Sequence, residues 1–191
     1  MEDKYVGIIT SASDEVNANY KSIAKDVSIW LANMDYNLVF GASSTSMMGE
    51  CYNAFLNYGK KIYAVTTKHY QDDLKNLEYA KPLICETTFD MKKRIYENSD
   101  VIVMLPGGIG TFSEFFSFLD ENRQREEKVP IEIYDEDGFY LPLIETLQLL
   151  VINKFADASI LDSFKVSHDK EELFNHMSEY NKKPEYKGMR G

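Results

Sequence analysis

Cysteine is scarce in this chain of 191 residues: only Cys51 and Cys85 are present, with no C-x-x-C and no ligand-like spacing to His69, His168 or His176. A disulfide scaffold and a metal site are therefore not expected. Long apolar runs are also missing. No stretch reaches membrane-spanning length, and the opening "MEDKYVGIIT" sets charges before a short strand-like run where a secretory leader would carry an apolar core. A cytoplasmic protein without membrane contact is the expectation. Positive charge is in deficit, with 21 Lys and Arg against 31 Asp and Glu and a net charge of −10. That balance opposes binding to a phosphate backbone, so no nucleic-acid partner is expected. A phosphorylated small molecule remains compatible, because a pocket can be locally positive inside an acidic protein.

What is present alternates. "KYVGIIT", "YNLVFG", "KKIYAVT", "KPLICETT", "DVIVMLP", "VPIEIYD" and "SFKVSHD" read as strands. Between them lie helical patterns: "NANYKSIAKDVSIWLANM", the stretch after "ASSTSMMG" that Gly59 ends, "FDMKKRIYENS", "GTFSEFFSFLDENRQ", "FYLPLIETLQLLVINK" and "KEELFNHMSEY". The segment from the third strand to about Leu77 reads as polar and irregular. No repeat or low-complexity linker interrupts the alternation. Residues 1–180 are expected to form one α/β domain with a mostly parallel sheet covered on both faces, and 181–191 a polar tail.

Parallel sheets take ligands beyond the carboxyl ends of their strands. Three loops expected on that edge are rich in small polar residues: Thr10 to Ser13, Gly41 to Gly49, and Pro106 to Thr111. The helix carrying Arg94 should begin on the same edge, with Arg94 about one turn in. In "VMLPGGIGTFSEFF", Gly107 and Gly108 allow positive φ and close approach of backbone to a ligand. Gly110 and Thr111 then open a helix whose free N–H groups favour an anion. No GK[ST] follows, and Ser113 occupies the last position of a would-be G-x-G-x-x-G, so this is neither a P-loop nor a dinucleotide fingerprint.

Glu114 admits two readings. Thr111 and Glu114 have the T-x-x-E spacing of a capping box, in which Glu114 would only hook back to the Thr111 N–H. On a helical wheel, Phe112, Phe115, Phe116 and Leu119 make the core stripe and Glu114 faces away from it, one turn from the phosphate loop. The residues alone leave cap and catalysis both standing.

"MKKR" at Met91 to Arg94, followed by "PGGIGTFSE" at Pro106 to Glu114, closely resembles the LOG family, the cytokinin riboside 5′-monophosphate phosphoribohydrolases also described as lysine decarboxylases. "LVFGASSTSMMG" and "EIYDEDGFYLPLIETL" extend the resemblance over roughly residues 4–180. It implies a Rossmann-like doubly wound fold, a homodimer, no cofactor, and hydrolysis of a nucleoside 5′-monophosphate to free base and ribose 5-phosphate. It places the catalytic pair on Arg94 and Glu114. Phosphate and substrate binding fall on Gly107, Gly108, Ile109, Gly110 and Thr111, with Met91, Ser11, Ser13 and Ser44 in support. A carboxylate beside the sugar suits this reaction, since breaking the N-glycosidic bond builds positive charge there. No lysine sits in a Schiff-base setting, so decarboxylation does not fit. The chain departs from the family pattern at Ile95 where Lys is frequent, at Ser46 where Gly is usual, and in "ENRQREEKVP" after the Glu-bearing helix. A non-hydrolytic nucleotide- or cofactor-binding protein is the other class these residues allow.

Overall fold

Strand and helix segments follow one another in the order set by the apolar periodicity. The structure, a computed structural model, describes residues 3–180. The polar tail expected over 181–191 lies outside the described residues. The strands are β1 (Lys4–Ile9), β2 (Tyr36–Gly41), β3 (Ile62–Thr67), β4 (Lys81–Cys85), β5 (Val101–Met104), β6 (Ile131–Tyr134) and β7 (Lys165–Ser167). Between and after them run α1 (Ala18–Asn33), α2 (Ser46–Asn57), α3 (Thr88–Glu97), α4 (Ile109–Gln124), α5 (Leu141–Ile152) and α6 (Lys170–Tyr180). The polar segment after β3 is not irregular but a 3-10 run, Lys68–Asn76, none of whose residues is buried.

All pairings are parallel, in the order β4-β3-β2-β1-β5-β6-β7. The chain winds outward from β1 to β4, then returns beside β1 and winds the other way. This is the doubly wound, Rossmann-like α/β fold, and its crevice opens between the carboxyl ends of β1 and β5. Period-two alternation sends strand side chains to two cores. Val6, Ile8, Leu38, Phe40, Val101 and Val103 pack under α1, α2 and α6. Tyr5, Ile9, Val39, Ile102 and Met104 pack under α3, α4 and α5. No helix among the described residues is long and apolar enough to cross a membrane.

Local chemistry sets the helix ends that matter here. Thr87 and Asp90 form a reciprocal capping box that starts α3, with the Asp90 N–H donating to Thr87 Oγ1 and the Thr87 N–H to Asp90 Oδ2, both at 3.1 Å. Gly7 lets the end of α3 settle on β1, since a Cβ there would lie 3.1 Å from the Ser99 Cβ.

Candidate active site

The three loops expected on the ligand edge meet at the crevice and are tied together by hydrogen bonds. Thr10 Oγ1, buried at the end of β1, donates to the Pro106 carbonyl at 2.9 Å. Thr45 Oγ1 donates to the Ala12 carbonyl at 3.1 Å and Ser46 Oγ to the Ser13 carbonyl at 2.5 Å. The Met48 N–H donates to the Ser11 carbonyl at 3.3 Å. Ser11 Oγ accepts from the Ser13 N–H at 3.1 Å, so both serines shape the loop through local bonds. Ser46 takes φ of +52°, the left-handed region that favours glycine, and its bond to Ser13 offsets part of that strain. Ser44 bends under Gly49, where a Cβ would sit 2.8 Å from the Ser44 carbonyl carbon.

The glycine loop is held from behind and open in front. The buried Tyr140 hydroxyl donates to the Leu105 carbonyl at 2.6 Å, and its oxygen faces the Gly107 N–H. Together with the Thr10 bond, this anchors the loop's carbonyls. Positive φ is not the reason for the glycines. Among the described glycines only Gly59 and Gly138 adopt it, and Gly108 has φ of −95°. Gly107 is required by packing instead: a Cβ there would lie 2.7 Å from the Thr111 Cβ. Around Gly108 and Gly110, by contrast, an added Cβ would meet nothing within 4 Å.

Helix α4 starts one turn earlier than a Thr111 cap would require. Gly108 is the cap residue, it supplies no side-chain bond, and the first helical hydrogen bond is Phe112 N–H to the Gly108 carbonyl at 3.1 Å. The N–H groups of Ile109, Gly110 and Thr111 therefore have no carbonyl one turn back, which is the arrangement that receives an anion. Ile109 itself projects outward, 87% exposed.

This start removes the capping reading of Glu114. Thr111 lies inside the helix, so its N–H is not the cap N–H that a box would use. Nor does Glu114 face away from the core. The buried face of α4 carries Thr111, Glu114, Phe115, Phe118, Leu119 and Asn122, while Phe116 is exposed. The 7% exposed Glu114 side chain makes no hydrogen bond among the described residues. Burial pushes its carboxyl up to about 7, against a smaller downward pull from Lys92. A carboxyl so placed can exist as acid or carboxylate at neutral pH.

Arg94 stands in the last turn of α3, which begins at Thr88, about 9 Å along the axis from the helix start. It is exposed, and the titrating group on which its charge acts is Cys85 at the end of β4. Met91, one turn earlier, approaches the second loop: a Cβ on Gly41 would lie 3.1 Å from the Met91 Cε. The cation near Glu114 is Lys92, whose Nζ donates to Ser113 Oγ on α4 at 2.6 Å. Lys92 was not among the residues singled out in the sequence. The available signal was helical spacing, because Ile95 and Tyr96, three and four residues on, are both buried. Tyr140 was missed as well, since nothing local links it to Leu105, 35 residues away. A groove of about 340 Å³ between α1 and α2, bounded by Lys25, Glu50 and Asn53, contains no residue of the glycine loop.

Known proteins resemble this chain in sequence and in fold. A family model described as "possible lysine decarboxylase" matches residues 48–177. A cytokinin riboside 5′-monophosphate phosphoribohydrolase of Arabidopsis thaliana is 23% identical over 178 residues, covering 93% of this chain and 78% of that protein. One from Rhodococcoides fascians is 23% identical over 155 residues, covering 80% and 78%. Among solved structures, the molybdenum cofactor carrier protein of Chlamydomonas reinhardtii superposes with a TM-score of 0.71 at 15% identity, covering 95% of this chain and 100% of that one. The molybdenum cofactor binding protein of Rippkaea orientalis gives 0.70 at 12% identity, covering 94% and 98%. At such identities these structures share the fold alone. With the glycine loop, the Glu-bearing helix and the family model in agreement, the chain belongs to the LOG family, the group described as possible lysine decarboxylases.

Proposed function

We propose that this protein is a phosphoribohydrolase that cleaves the N-glycosidic bond of a nucleoside 5′-monophosphate. The observation that carries the reading is Glu114: a buried carboxyl with no hydrogen bond among the described residues, five residues into a helix whose first N–H groups are open. Five residues span about 7.5 Å along the axis, a reach comparable with ribose 5-phosphate. The phosphate rests on the N–H groups of Ile109, Gly110 and Thr111, and Gly108 and Gly110 leave it room. Glu114 then faces the sugar. As the C1′–N bond breaks, positive charge on the ribose is stabilised by the Glu114 carboxylate. Water adds at C1′, and the base leaves with one of the water's protons, giving free base and ribose 5-phosphate. Ser11, Ser13, Ser44 and Met91 shape the opposite wall. Relatives named for this reaction supply its class. The nucleotide pool it implies is that of the cytoplasm.

The same reading includes a homodimer. Phe116 on α4 and Leu149 and Ile152 on α5 are exposed on one layer of the fold, and a second copy would cover them. Sedimentation at micromolar concentration should give twice the mass of one chain.

A second reading rests on Arg94. Arg94 stands in the last turn of α3 and its charge reaches Cys85, while the charge acting on Glu114 is that of Lys92; an anion cradle without an Arg94–Glu114 pair would be that of a nucleotide- or cofactor-binding protein. One experiment separates the two. The pure protein is incubated with AMP, GMP, CMP, UMP and an isopentenyl-adenosine monophosphate, and base and ribose 5-phosphate are followed by chromatography. Equimolar release, reduced about 10²-fold or more in Glu114→Gln, supports the enzyme. Tight binding without release of any base assigns the chain to the carrier class.

A further inference from the structure

We propose that Lys92 is the positioning residue of this site: it supplies the fixed counter-charge that keeps Glu114 usable when a phosphate is bound. The inference rests on the phosphoribohydrolase reading above. It starts from how α3 divides its basic triplet. Lys93 turns outward and pairs with Glu97 at 3.8 Å, and Arg94 acts on Cys85. Lys92 alone crosses to α4. Its Nζ donates to Ser113 Oγ at 2.6 Å and to Ser117 Oγ at 3.4 Å, the residues one before and three after Glu114. Ser117 Oγ donates in turn to the Ser113 carbonyl at 2.7 Å, so its oxygen is left as an acceptor for the ammonium. The Lys92 ammonium also lies 5.5 Å from the centre of the Phe89 ring, which limits its freedom on the solvent side.

The charge that pulls the Glu114 carboxyl down, against burial, is that of Lys92. On α4, Asp120 pairs with Arg123 and Glu121 with Arg125, more than a turn beyond. The strand side chains under this layer, Ile9 of β1 and Met104 of β5, are apolar. A phosphate arriving at the start of α4 adds negative charge near Glu114, which favours its protonated form. Without an opposing cation, ligand binding would neutralise the carboxylate that the reaction needs. Lys92 opposes that effect from the α3 side.

The test reads the Glu114 carboxyl directly. Protein labelled with ¹³C at the glutamate side-chain carboxyls is titrated by NMR, with and without inorganic phosphate, and the Glu114 signal is identified by its loss in Glu114→Gln. In Lys92→Met the midpoint should rise by about one pH unit or more, and phosphate should raise it further than in the wild type. Lys92→Arg should restore most of the difference. The pH profile of base release should move by the same amount. If Lys92→Met unfolds, Lys92→Gln is titrated instead, since it retains a donor for Ser113 but not the charge. An unchanged Glu114 midpoint in either folded variant overturns the proposal and leaves Lys92 as a strut between α3 and α4. If no nucleotide releases base, the enzymatic reading fails, while the titration still decides whether Lys92 governs Glu114.

Discussion

Replacing Glu114 with Gln removes an ionisable group while nearly preserving its shape, and the consequences for stability can be worked from its burial. In an open chain this carboxyl titrates near 4.5, and in the fold near 7. Between those values the native state holds a proton that the unfolded state has released. Stability therefore falls as pH rises through this window and is level above it. At about 1.4 kcal/mol per pH unit of difference, the total is about 3 kcal/mol. The amide in Glu114→Gln has no proton to lose, so the variant escapes this decline. A domain of this size gains roughly 2–4 °C in Tm per kcal/mol. The Tm of Glu114→Gln relative to wild type should thus climb by about 5–10 °C between pH 5 and pH 8. Calorimetry on both proteins at pH 5, 6, 7 and 8 measures it, and any constant offset from burying an amide cancels in the comparison. Parallel curves would refute the reasoning. They would mean that the Glu114 carboxylate has a hydrogen-bonding partner in the fold. The same titration predicts that base release increases as pH rises through 7, because the carboxylate is the active form.

Two further substitutions probe the loop. Gly107→Ala should destabilise the protein by about 1–3 kcal/mol in urea, because the new Cβ collides with the branched Thr111. Gly108→Ala meets open space and should cost less than about 1 kcal/mol, yet weaken phosphate binding about tenfold by filling the cradle. Equal effects on binding and stability in both would show that the glycines serve the turn alone. Tyr140→Phe removes the donor to the Leu105 carbonyl and should lower stability by about 1–3 kcal/mol. Phosphate affinity should fall with it, since the loop loses its rear anchor; a wild-type urea midpoint would contradict this.

Much of this molecule follows from local pattern. The alternation of apolar strands with amphipathic helices is enough to specify a parallel α/β sheet, because the inner strands are buried on both faces and the helices on one stripe. The small-residue loops at Thr10, Gly41 and Pro106 were legible as a ligand edge for the same reason: crossover connections put all three on one side. Tertiary structure decided what periodicity could not express. α4 begins at Ile109 and not after Thr111, with the Thr111 side chain packed against Gly107, and that one-turn difference makes Glu114 a buried acid with no hydrogen bond among the described residues instead of a cap. The helical wheel of α4 put Phe116 inside and Glu114 outside, whereas in the fold Glu114 is buried and Phe116 exposed. Within Lys92-Lys93-Arg94 the residue types are nearly equivalent as charges. Only the rotation of α3 about its axis, set by burial of Ile95 and Tyr96, determines that Lys92 reaches Ser113 of α4, next to Glu114, while Lys93 and Arg94 stay exposed.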